Sequence, residues 1–128
     1  MSGPMSRRTP FVSRDPILFL KDIEASCSRI LEYTRGLSQD EALTEQMRLD
    51  AILMNLHTIG EAVKNLPEAI REGHSDVPWR QISGMRDFVA HVYFAIDLGI
   101  IWDTIQNDVP SLLSRIKKII KAEQNAED

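Results

Sequence analysis

Apolar residues recur along this chain at spacings of three and four, the period of a helix buried on one side. No segment alternates as a half-buried strand would. Asp15 followed by Pro16 predicts a helix start: an acceptor for orphan amides, then a proline whose missing N–H does no harm there. Ile17, Leu18, Leu20, Ile23, Cys27, Ile30 and Leu31 carry this helix to Tyr33, and Gly36 ends it. The serine and glutamate three apart in "SQDE" (Ser38, Glu41) predict a capping box and a short helical turn. A long helix follows, with the core stripe Met47, Leu49, Ile52, Leu53, Leu56, Ile59, Val63 and Leu66. Gly60 within it costs about 1 kcal/mol in helix propensity, which predicts a closely packed neighbour there. Pro67 breaks the pattern, "PEAIREGHSDVP" reads as one turn and a loop, and residues 79–82 read as another short turn. The next long helix is predicted over 85–106. "NDVP" predicts a stop and restart, with Asp108 as N-cap and Pro110 in the first turn. The last helix presents Leu112, Leu113, Ile116, Ile119 and Ile120 before fraying into the acidic "EQNAED". The fold class expected is all-α, an up-and-down bundle of four main helices plus short helical turns.

The helix over 85–106 holds "MRDFVAHVYFAID", where Arg86, Asp87, His91, Tyr93 and Asp97 interrupt an apolar pattern. Projected from Arg86 at about 100° per residue, Phe88, Val89, Val92, Ile96, Gly99 and Ile100 span roughly 200° to 320°, the bundle-facing side. Tyr93 and Asp97 fall within about 20° of Arg86, with Ala90 and Ile101 close by. That second, mixed face is a candidate subunit interface, so a homodimer is expected. His91 lies about 140° round from Arg86, so one ideal helix does not aim both side chains at one point. Either the turn over 84–87 is irregular, or the site is composite, with groups contributed across a dimer. By residue type alone His91 is a satisfied core histidine or a catalytic group, and Tyr93 is core, interface or something more.

Composition narrows the class. The chain has 128 residues, 43% hydrophobic and 27% charged, which suits one soluble domain with a single core. Residues 1–14 read as a disordered basic arm, 15–122 as the helical domain and 123–128 as an acidic tail. "MSGP" ahead of a second Met is either an added segment or an upstream start. No apolar run approaches the roughly 20 residues that span a bilayer, and the N-terminus lacks the apolar core of a secretory signal. The single cysteine, Cys27, excludes an internal disulfide framework and fits a reducing cytoplasm. It lies on the apolar side of the first helix and reads as a small buried hydrophobe. A net charge of −4 argues against coating nucleic acid by bulk electrostatics, though not against a local basic cleft. No Cys/His cluster has metal-ligand spacing, and no Gly-rich phosphate loop or internal repeat is present.

"RDFVAHVY" is R-x-x-x-x-H-x-Y with an acidic residue directly after the arginine. It resembles the signature of HEPN-domain proteins, specifically the HepT-like ribonuclease toxins. "IGEA", the "PW" ahead of the motif and Asp97 with "IIWDT" after it strengthen the resemblance, which covers nearly the whole chain from Arg14 onward. One departure is Asp87, where many members carry asparagine.

The resemblance implies metal-independent RNA cleavage, with the ribose 2′-OH as nucleophile on the adjacent phosphate and no cofactor. It implies Arg86 and His91 as catalytic residues, Asp87 and Tyr93 in support, and a site at a homodimer interface. An imidazole titrating near neutrality suits proton transfer, and a guanidinium fork suits phosphate oxygens. It further implies a partner nucleotidyltransferase antitoxin that adenylylates Tyr93, so that a bulky anion blocks RNA. The rival is a non-catalytic helical module that binds and assists a nucleotidyltransferase. Beside this motif, His57 and His74 read as surface or loop residues, and Arg115, Lys117, Lys118 and Lys121 as a solvated helix face. Lys64, Arg71 and Arg80 flank the loop before the motif, either as solvated side chains or as an RNA approach. Glu61 has no placement from sequence.

Overall fold

The structure, a computed structural model, describes residues 14–88 and 97–127. Asp15 caps α1 (Pro16–Thr34), its carboxylate accepting the Ile17 amide at 2.9 Å. Arg14, assigned from sequence to the N-terminal arm, pairs with Asp22 at 2.6 Å and lies over the Phe19 ring. Beyond α1, Gly36 adopts φ 75°, a left-handed conformation that side chains resist and glycine does not. Ser38 and Glu41 form the expected capping box at the start of α2 (Gln39–Leu43).

α3 (Gln46–Asn65) carries the longest core stripe, with Ile52, Leu56 and Ile59 fully buried. Met47 departs from the expectation and is 79% exposed. It precedes Leu49 by two residues, about 200° round the helix, so it cannot share the buried side. α4 (Glu68–Gly73) and α5 (Trp79–Ser83) are the two short elements expected. The Trp79 indole N–H joins them by donating to the carbonyls of Arg71 (3.2 Å) and His74 (3.0 Å).

The single helix expected over 85–106 is not formed. Gly84–Asp87 is a 3₁₀ turn, and α6 (Leu98–Asp103) starts afresh behind Asp97. Asp97 has φ −109° and ψ 94°, and its carboxylate accepts the Gly99 amide at 2.9 Å. A helix cap therefore stands where the mixed helical face, the candidate subunit interface, was expected, and Arg86 and Asp97 do not share a helix. His91 and Tyr93 lie outside the described residues.

The expected break at "NDVP" is likewise absent. α6 continues through a π-helical turn (Thr104–Asp108) into α7 (Val109–Glu127), and the Val109 amide bonds the Thr104 carbonyl. Asp108 is thus inside a helix, not capping one. The wider turn relieves Pro110, whose ring would otherwise meet the carbonyl four residues back. α7 runs on through residues expected to fray, where Glu123 lies 2.8 Å from His74.

The described residues form an all-α bundle without strands. α1 packs against both α3 and α7, and α3 also receives α5 and the 3₁₀ turn. The core combines Leu20, Ile23 and Ile30 of α1 with the α3 stripe and with Ile105, Val109 and Ile116. Among the described residues no helix is long and apolar enough to cross a membrane.

Candidate functional site: the Arg86 turn

Arg86 belongs to a turn that α3 holds by three separate means. Met85, the preceding residue, is buried and anchors the turn in the core. Gly60 then lets the backbones meet: a Cβ there would sit 2.5 Å from the Arg86 amide nitrogen and 2.7 Å from the Ser83 carbonyl. Only glycine permits that approach, which accounts for the helix-weakening residue in mid-α3. One turn earlier, His57 Nδ1 lies 3.1 Å from the Arg86 carbonyl oxygen. A carbonyl only accepts, so Nδ1 carries the proton and donates. One residue after Gly60, a Glu61 carboxylate oxygen accepts from Arg86 Nη1 at 3.1 Å. Asp87 lies 3.8 Å from Arg86 Nε, a looser ion pair.

His57, Gly60 and Glu61 thus make one face of α3 into a cradle. The Arg86 side chain is 34% exposed, so its head reaches solvent while its backbone is fixed. Arg86 is also off any α-helix, which removes the angular conflict with His91 from the Arg86 side. The irregular turn, one of the two arrangements expected, is present.

The turn separates two grooves. One, about 1040 Å³, is walled by Lys64, Arg71, Arg80 and Arg86 with Glu68 and Glu72. The other, about 530 Å³, is largely apolar and includes Ile82, Met85, Phe88, Ile100 and Leu112. Among the described residues no three His, Cys, Asp or Glu side chains gather as a metal ligand set.

One residue, His57, was read differently in sequence. His57 is no bystander, and its signal was its spacing of three and four from Gly60 and Glu61. His74 is tied to Glu123 as well as to the Trp79 indole through its carbonyl. Cys27 is fully buried, and burial, reinforced by the Glu24 charge, pushes its thiol up to about 12.

Relatives named as RNases align over most of this chain. A candidate RNase of Caldanaerobacter subterraneus subsp. tengcongensis is 39% identical over 87% of this chain and 99% of its own length. A protein named probable ribonuclease HepT, from Thermococcus cleftensis, is 35% identical over 80% of this chain and 94% of its own. A candidate RNase of Methanocaldococcus jannaschii is 39% identical over 84% and 89% respectively. No solved structure matches the chain significantly. Residues 23–119, which span α3, the Arg86 turn and most of α7, match the family model described as Ribonuclease HepT-like, and the chain belongs to that family.

Proposed function

We propose that this protein is a metal-independent endoribonuclease toxin, a cytoplasmic homodimer held in check by a nucleotidyltransferase antitoxin. The observation that carries the reading is the cradled Arg86: a cation fixed through its backbone and its guanidinium, on the wall of a groove rich in further cations. The names of its relatives support RNA as substrate.

In this reading the ribose 2′-oxygen attacks the adjacent phosphorus and the bond to the 5′-oxygen breaks. The products are a 2′,3′-cyclic phosphate and a 5′-hydroxyl end. His91 exchanges the proton with the reacting oxygens, and Arg86 compensates the charge on the phosphorane oxygens. DNA is not a substrate because it lacks the nucleophile. Asp87 and Tyr93 support the pair. In the off state the Tyr93 phenol attacks the α-phosphorus of ATP on the antitoxin, pyrophosphate leaves, and the tyrosine-linked adenylate blocks RNA.

The test is cleavage of RNA by purified protein in EDTA, with the ends analysed for 2′,3′-cyclic phosphate. Arg86→Ala and His91→Ala are each expected to abolish cleavage with the helical circular dichroism retained. Full activity in both variants overturns the assignment. Incubation with its partner nucleotidyltransferase and ATP is expected to add one adenylate in wild type and none in Tyr93→Phe.

A further inference from the structure

The groove beside Arg86 draws its cations from three elements: Lys64 from the last turn of α3, Arg71 from α4 and Arg80 from α5. Lys64 and Arg80 are exposed and Arg71 is half-buried. Among the described residues none of the three lies within 4.0 Å of a carboxylate, whereas Arg14, Arg35, Arg48 and Arg86 all do. Arg86 is already offset by Glu61 and Asp87, which leaves three cations, Lys64, Arg71 and Arg80, facing two carboxylates, Glu68 and Glu72, on a chain whose net charge is −4. The local sign therefore opposes the global one, the arrangement that draws a polyanion to one cleft of an acidic protein.

The frame is stiff. The Trp79 indole ties the Arg71 and His74 carbonyls to α5, one residue before Arg80. Arg71 Nε is buried in the wall without a hydrogen-bond partner among the described residues. A single phosphate would need these cations to converge on one point, and instead they are distributed over three elements. A chain of phosphates satisfies them in series.

We infer that this groove is the track for the sugar-phosphate backbone of single-stranded RNA flanking the cleaved bond, with Lys64, Arg71 and Arg80 holding successive phosphates. The inference rests on the reading in which Arg86 meets the scissile phosphate. The contacts are to phosphate, so they set affinity and not base preference.

The experiment measures binding of a 2′-O-methyl RNA oligonucleotide, which keeps the phosphates and lacks the nucleophile, across a range of salt. Lys64→Gln with Arg80→Gln, both at exposed positions, is compared with Lys117→Gln plus Lys118→Gln at exposed positions of α7. Each phosphate contact contributes about 0.7 to the salt slope of single-strand binding, so the groove pair should lower it by roughly 1.4. Affinity at 0.1 M salt should fall roughly 25-fold by the same relation, while the α7 pair stays within about twofold of wild type. Equal losses in both pairs, an unchanged slope in the groove pair, or no RNA binding by wild type overturns the track. Binding through the groove without cleavage of the unmodified strand overturns the catalytic reading and leaves the track standing. Normal cleavage with an unchanged KM in the groove pair does the reverse.

Discussion

Arg86 is fixed at both ends, its carbonyl by His57 and its guanidinium by Glu61. The Glu61–Arg86 pair is more than a third exposed on the carboxylate side, so it contributes little to folding. Its effect belongs in orientation. Glu61→Ala is expected to leave urea stability within about 1 kcal/mol of wild type. It should lower kcat roughly 10- to 100-fold, as expected when a reacting group is displaced by a fraction of an ångström. Glu61→Gln, whose amide oxygen still accepts from Nη1, should recover part of that loss, and identical kcat in all three proteins would refute the role. Cys27 illustrates the opposite case, a reactive residue type made inert by its place. With its thiol raised from 9.0 to about 12, it should resist thiol reagents in the native protein and react only on unfolding in urea. The neutral thiol is the form the core tolerates. Its contribution to stability is therefore complete below about pH 9 and is lost as pH rises toward 12.

At the level of elements, α3 is both core and instrument. Its buried stripe packs against α1, and the face defined by His57, Gly60 and Glu61 receives the Arg86 turn. Gly60→Ala would drive a methyl to 2.5 Å from a backbone nitrogen, a contact no rotamer change relieves. The expected cost is about 1–3 kcal/mol in chemical unfolding, with loss of RNA cleavage as the turn moves off α3. Unchanged stability and activity would show that the close approach is not needed. This glycine was legible in the sequence, because a helix breaker inside a strong helical stripe has to be explained by a neighbour. Glu61 and His57 were legible only as sharing the Gly60 face; their partner, a turn 25 and 29 residues away along the chain, was not. Helical period also misled at the Arg86 segment. Its apolar spacing is continuous, but the 3₁₀ turn and the Asp97 cap divide it through local hydrogen bonds that periodicity does not register.

Across the whole molecule, α1 and its two long neighbours supply a frame, and the candidate chemistry hangs on one side of it. The long helices α1, α3 and α7 could be read from spacing, since burial of one face is what spacing records. The joining of α6 to α7 could not, since Asp108 and Pro110 carry the same signals whether a helix begins or merely widens. The widening has a geometric reason. Ile101, Ile105 and Val109 are all buried and are four residues apart, and two such steps on a regular α-helix drift about 80°. The π turn absorbs that drift and leaves Gln106, Asn107 and Asp108 exposed. The π turn thus accommodates one residue more than a regular helical turn would, without disturbing either buried face. Deleting Asn107 would restore an ordinary helix yet return Pro110 to its steric conflict, at about 3 kcal/mol or more. The same deletion combined with Pro110→Ala escapes that penalty, so the extra residue and the proline are energetically coupled and have to be changed together.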